Sequence, residues 1–386
     1  MQIRITLICF LILCFESASI FGQRVNIRIF SENNLKSFIF SPVVGKYQII
    51  SDTTTIITLS KDEVINLIQV NDSIEIKTID KKIGVYKNIL IKGIANVNYA
   101  KIKGVLPLIN QRLYDDDLLV SIQNNSFYII NIVEIENYVA GVVESEGGQK
   151  ASIEYYKTQA IICRTYALEN LNRHINEGYD LCDNVHCQAF KGKSLTNLDI
   201  PEATASTAGL VIVDSTLLLI TAGFYSNCGG QTVNSEDVWS KPKSYLRSIT
   251  DTFCISQKNA FWEKRIPIVK WNQYLVSNGF NLNDTLYSIY LYTQPKRKTY
   301  YRINNDSIPL RKIRLDWNLR STFFNVTIDG DNLLFKGKGY GHGVGLCQEG
   351  AMNMSKLGYS YKDIIKYYYK NTNIVSMRSL NFFKEQ

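Results

Sequence analysis

From Ser152 to Gly178 the chain reads "SIEYYKTQAIICRTYALENLNRHINEG", a stretch with the pattern of one helix. Ser152 stands at the N-cap, Glu154 falls in the first turn where the helix dipole favours a carboxylate, and Gly178 lies just past the expected end. The centre, from Ala160 to Leu168, is apolar almost all round. A helix of that kind is buried on every side, so the remainder of the fold has to be built around it.

What precedes the helix is of a different kind. From Arg24 to about Asn125 come short runs, "VNIRIF", "KSFIF", "KYQII", "TTTIITLS", "DSIEIKT", "NILIKGI" and "DLLVSIQ", separated by Asn, Asp, Gly and Lys. Several alternate in polarity, the pattern of antiparallel strands with one covered face. Beyond the helix follow a Cys- and His-bearing loop, a short helix near Ile200–Thr207, a strand pair around "GLVIVDSTLLLITAGFYSNCGG", a helix in "PIVKWNQYLVSNGF" and an amphipathic helix near Tyr361–Tyr369. The expected class is α+β: a β-rich region over residues 24–125, a mixed core over 126–250, and a C-terminal part over 251–386 that completes a cleft between subdomains. A chain of 386 residues has room for about two domains.

The first residues, "MQIRITLICFLILCFESASIFGQ", pair Arg4 with an apolar core from Ile5 to Phe15 and then turn small and polar. That is the pattern of a secretory leader over residues 1–23, since the apolar core is shorter than the roughly 20 residues that span a bilayer. Bulky Leu13 before Cys14 does not suit a lipoprotein site, and no later stretch is apolar enough to span. Export to the periplasm or cell envelope is the expectation. A formal charge of +8 favours anionic partners, and export argues against nucleic acid among them. Of 8 cysteines, the leader takes Cys9 and Cys14. Cys163, Cys182, Cys187, Cys228, Cys254 and Cys347 remain as disulfides, metal ligands or buried thiols.

Four places carry chemistry. Lys157 and Arg164 share one helix face, and Arg164 sits among apolar neighbours, where a guanidinium needs an acceptor, structural or substrate. In "YDLCDNVHCQAF", Cys182, His186 and Cys187, with His174 upstream, suit zinc by ligand type. The alternatives are a Cys182–Cys187 disulfide and a satisfied core histidine, and His186 beside Cys187 is awkwardly placed to share an ion. The glycines of "FYSNCGG" and "GKGYGHGVGLCQEGA" allow close backbone approach and present His342 with little cover. Last, Glu146 stands where "YVAGVVESEGG" leaves an apolar segment for a flexible turn. Apolar walls there would raise its pKa and suit it to protonate a leaving oxygen, and the plain alternative is a solvated turn glutamate.

Together these stretches resemble the SpoIID/LytB family, the relatives of stage II sporulation protein D, from about Ile135 to Asn373. "YVAGVVESE", "YYKTQAIICRTYAL", "YDLCDNVHCQAFKG", "YSNCGGQT…VW" and "GYGHGVGLCQEGA" match its signatures in order. The resemblance implies a SpoIID-type catalytic region and a lytic transglycosylase that cleaves MurNAc–GlcNAc bonds of peptidoglycan glycan strands without water, leaving a 1,6-anhydro product. It implies Glu146 as the acid and base, with Lys157, Arg164, Tyr166, Ser226, Asn227, Tyr340, His342 and Gln348 lining the cleft.

No cofactor is required for that chemistry. Cys182, Cys187, His174 and His186 match a region where some members hold zinc, expected to be structural because two thiolates in a local loop make a closed site. Two other functions are consistent with these features: a non-catalytic wall-binding module that stimulates an N-acetylmuramoyl-L-alanine amidase, the role behind the LytB name, and a zinc-dependent wall hydrolase. One departure stands out: the family usually reads Met-Pro after this glutamate, where this chain has Gly147–Gly148.

Overall fold

The computed structural model describes residues 23–148, 150–239, 241–282, 290–303 and 305–384. The expected leader lies outside the described residues, apart from Gln23. The fold is α+β, and no helix among the described residues is long and apolar enough to cross a membrane.

Two antiparallel sheets face each other over the N-terminal region. One runs in the order 181–182, 24–29, 126–134, 117–123, 88–93, 47–51, 54–59, and the other 109–115, 99–106, 37–44, 65–70, 73–77, 82–86. Only the short segment Leu181–Cys182 pairs in parallel, against Ile27–Arg28. Alternation drives the arrangement: Ile27, Ile29, Ile49, Ile91, Val120 and Ile129 of the first sheet and Phe38, Phe40, Leu67, Ile74 and Ile102 of the second are fully buried, while the residues between them face outward. Aromatic edges close the gap between the sheets, Phe38 on Phe127 at 4.8 Å and Phe40 on Tyr47 at 5.2 Å, geometries that add to area burial. The strands Ile65–Val70, Lys82–Tyr86, Tyr99–Leu106 and Ile109–Asp115 lie outside the runs that marked the others in the sequence.

Strand Ser126–Glu134 leads straight into helix α1, Ile135–Glu146. Its apolar residues Ile135, Tyr138, Val139, Val142 and Val143 repeat at helical spacing and are buried, which fixes the face turned to the core. Helix α2 covers Ile153–Glu169 and α3 Asp199–Ser206; the three pack on one another. The sequence pattern carried α2 on to Gly178, but it stops eight residues short of Glu177, where a separate turn of 3₁₀ helix over Ile175–Glu177 ends. Asn170 caps the end: its side-chain amide donates to the Tyr166 carbonyl at 2.8 Å beside its own N–H at 3.1 Å, a local side-chain bond that competes with continued helix.

The expected hairpin after α3 is also altered. Leu210–Val213 pairs with Asn373–Ser376, touching its own return only at Val213–Leu219. Phe224–Tyr225 pairs in parallel with Leu346–Cys347, which sets the two glycine-rich segments side by side. Residues 262–335 form a separate core around the fully buried Trp271. Its sheet, Phe261–Pro267, Asn332–Lys338 and Phe324–Asp329, delivers Tyr340 to a bridge with Asn227.

Candidate active site

Helix α1 ends at Glu146, so this carboxylate occupies a helix C-terminus and not the flexible turn its glycines suggested. A negative charge is disfavoured there by the helix dipole. In a helix Glu144 and Glu146 also point to different sides, whereas an extended chain would put them on one face.

The last three residues of α1 hold a single loop. Glu144 accepts the N–H groups of Leu195 and Thr196 at 2.9 and 3.2 Å and the hydroxyls of Ser194 and Thr196. The Ser145 hydroxyl accepts the Lys191 N–H at 3.0 Å, and Glu146 Oε1 accepts the Ala189 N–H at 2.9 Å. The loop lies this close because α1 has Gly141 at the crossing: a Cβ there would stand 2.2 Å from the Gly192 carbonyl. Gly148, at φ +75°, turns the chain away, and its carbonyl accepts the Tyr156 hydroxyl at 2.9 Å. Glu144 is thus spent on structure. Burial lifts the Glu146 carboxyl above the ordinary glutamate value, opposed by the Ala189 N–H and by Lys191.

Glu146 opens on a cavity of about 580 Å³, the size of a small-ligand pocket. Tyr166, Gln188, Phe224, Trp239 and His342 supply flat or polar wall, and Arg173, Lys241 and Lys243 supply positive charge. Among the described lining residues Glu146 is the sole carboxylate. His342 is fixed by both ring nitrogens: Nδ1 accepts the Val344 N–H at 3.1 Å, which leaves Nε2 to donate to the Phe224 carbonyl at 3.0 Å. Burial, together with Arg314 and Arg297, pushes its pKa down to about 4, so it is a neutral wall, its ring tilted against Trp239 at 5.3 Å and Tyr225 at 5.1 Å.

The sequence candidates divide. Glu146, Tyr166 and His342 meet in the cavity, with His186 and Cys187 beside them. Gln348 stands behind Glu146 and donates to its main-chain carbonyl at 3.1 Å. Asn227 is buried, binding Glu349 at 2.6 Å and the Cys254 carbonyl at 3.0 Å, while the Ser226 carbonyl accepts the Glu349 N–H. Tyr340 is 43% exposed, outside the lining, with Arg320 over its ring. Lys157 pairs with Glu154 at 2.7 Å, and Glu154 in turn accepts the Tyr361 N–H. Arg164 is fully buried and grips both Glu136 oxygens, with Nε at 2.9 Å, and the Leu210 carbonyl at 3.0 Å. Its acceptor is structural. Trp239, Lys241, Lys243 and Arg173 escaped the sequence reading, although Trp239 closes the quoted "VW" and the lysines follow in "SKPKS".

The Cys/His loop forms one end of the cavity. Ligating atoms of His174, Cys182, His186 and Cys187 all lie within 4.8 Å of one another, so His186 and Cys187 do converge despite being adjacent. The donor set fits zinc: two sulfurs, two imidazoles, and His174 Nδ1 backed by Glu177 at 2.7 Å. Hydrogen bonding from Cys182 pushes the Cys187 thiol down to about 6, and Arg173 adds to it. The same bond and burial push the Cys182 thiol up, so Cys187 is the readier thiolate and Cys182 would release its proton on binding a metal.

Residues 123–213 match the family model described as SpoIID, stage II sporulation protein, a span that holds α1 to α3, Glu146 and the Cys/His loop. An uncharacterized protein of Brachyspira hyodysenteriae is 29% identical over 274 residues, 69% of this chain and 74% of that protein. Stage II sporulation protein D of Bacillus amyloliquefaciens is 28% identical over 290 residues, 68% of this chain and 80% of its own. The amidase enhancer of Bacillus subtilis is 26% identical, covering 61% of this chain and 40% of that protein.

Proposed function

We propose that this chain, similar to stage II sporulation protein D and to the amidase enhancer, acts on the cell wall as an exported peptidoglycan lytic transglycosylase that uses Glu146 as both acid and base. The observation that carries this is the lone, desolvated carboxylate in a cavity whose other described lining residues include cations, an amide and aromatic groups but no second carboxylate. Hydrolytic glycosidases need two carboxylates, one to protonate the leaving oxygen and one to activate water or attack carbon. A single carboxylate suffices when the nucleophile belongs to the substrate.

The steps balance without water. With Oε1 held by Ala189, Oε2 carries the proton and delivers it to the glycosidic oxygen as the bond from C1 of N-acetylmuramic acid breaks. The resulting carboxylate takes the proton of that sugar's 6-hydroxyl while O6 closes on C1. The 1,6-anhydro ring forms, the N-acetylglucosamine hydroxyl leaves, and Glu146 regains its proton. The raised pKa keeps the acid form populated closer to neutrality. Trp239 and Phe224 offer sugar-facing surface, while Arg173, Lys241 and Lys243 suit the carboxylates of muramyl groups or stem peptides.

The Cys/His cluster, if loaded with zinc, supplies a closed four-ligand cross-link that holds the cavity end, with no open position for a nucleophile. A second reading, a modifier that accelerates an amidase, is favoured by the similarity to the amidase enhancer. Digestion of purified glycan strands, with and without stem peptides, followed by mass spectrometry separates the two. Anhydro-ended fragments from the chain alone support the enzyme; an unchanged profile combined with faster turnover of an added amidase supports the modifier.

A further inference from the structure

Beneath the glycine-rich segments, away from the cavity lining, three more cysteines and an aspartate converge. Cys228 follows strand Phe224–Tyr225, Cys347 ends strand Leu346–Cys347, and Asp251 and Cys254 lie in the stretch leading to strand Phe261–Pro267. All four are buried, and their ligating atoms lie within 4.8 Å of one another. Cys228 Sγ is 3.2 Å from Cys254 Sγ and 3.3 Å from Asp251 Oδ2, and the Cys228 N–H donates to Cys347 Sγ at 3.2 Å.

Hydrogen-bond donors and a cation face this cluster. Tyr368 donates to Asp251 Oδ2 at 2.8 Å and the Phe253 N–H to Oδ1 at 3.0 Å, the outer-shell bonds that orient a ligating carboxylate. Arg297 donates to the carbonyls of Cys228 and Gln231 at 2.6 and 2.7 Å and to the Thr322 hydroxyl at 3.3 Å. It takes no part in the ion pairs found among the described residues. A part-buried guanidinium is favoured by a nearby counter-charge, and thiolates in this cluster would supply it.

We propose that Cys228, Cys254, Cys347 and Asp251 form a second metal site, a closed three-sulfur, one-oxygen site for zinc. Thiolate sulfur selects a soft or borderline dication, and four protein ligands leave no position for substrate. Binding displaces the thiol protons to solvent; the three thiolates and carboxylate outweigh the dication, and Arg297 offsets part of the excess. The site ties the segments carrying Cys228 and Cys254 to Cys347, the residue before Gln348, and so braces the contact between Gln348 and the end of α1.

The test begins with zinc analysis of the C182S/C187S chain, in which the Cys/His cluster at the cavity end is disabled. Retention of about one zinc per chain, lost when C254S is added, is the expected result; no zinc in C182S/C187S overturns the proposal. Should the triple variant fail to fold, the wild-type chain decides through alkylation mapped by mass spectrometry. Cys228, Cys254 and Cys347 should be protected in zinc and labelled after chelation. Unchanged labelling, or recovery of Cys228 and Cys254 in one disulfide-linked peptide, contradicts the site.

Discussion

The side-chain amide of Gln348 donates to the main-chain carbonyl of Glu146 at 3.1 Å, across 202 positions of sequence. This bond fastens the last glycine-rich segment to the open end of α1, whose final carbonyls have no partner within the helix. Gln348 is therefore a positioning residue. Q348A should lower kcat about 10- to 100-fold through misplacement of the acid, with KM little changed. Steady-state kinetics on glycan strands checks the split; a rise in KM at constant kcat would mean that Gln348 binds sugar.

Glu146 itself is predicted to trade stability for function. Its folded pKa is raised by burial, so above the unfolded value the native carboxylate carries a cost that fades as pH falls through the folded pKa. E146Q should lose about 10²- to 10⁴-fold in rate, yet melt at or above the wild-type temperature at pH 8, with the gap closing towards pH 4. Melting curves across that range test the sign.

Arg164, fully buried, and Glu136, partly exposed, should behave as one coupled unit. Removing Glu136 strands the fully buried guanidinium, at a cost of about 3–5 kcal/mol, removing Arg164 should cost less because water reaches Glu136, and the R164M/E136L pair should be milder than the sum of the single changes. A double-mutant cycle in urea measures this. A cost for the double variant equal to the sum of the two single costs would show that the pair is not coupled.

His342 should stay neutral through the working range. With its folded pKa near 4 and below the unfolded value, it contributes stability above about pH 6.5 that is lost as pH falls towards 4. Nitrogen NMR should report the Nε2–H tautomer and no titration above pH 5. A midpoint near 6.5 would mean an exposed, mobile ring.

The features set by local pattern were readable in the sequence. Buried α2 followed from its apolar centre, the N-terminal sheets from alternation, and the burial that lifts the Glu146 carboxyl from its apolar approach. What eluded the sequence depends on partners distant in the chain. Glu146 ends a helix because Ile135, Tyr138, Val139, Val142 and Val143 continue the periodicity up to the glycines, a signal outweighed there by the turn-like "ESEGG". Arg164 announced that it needed an acceptor but not that Glu136 was it. Trp239 and the two lysines reach the cavity only because Phe224–Tyr225 pairs in parallel with Leu346–Cys347, a long-range pairing with no local mark. The convergence of Cys228, Cys254 and Cys347 has the same origin.

The central claim is that bond cleavage consumes no water. Digesting glycan strands in heavy-oxygen water and weighing the new ends tests this most directly. The wild-type chain should release 1,6-anhydro ends without the isotope, and E146Q should release none. Reducing ends carrying the heavy oxygen, or anhydro ends that persist in E146Q, would contradict it.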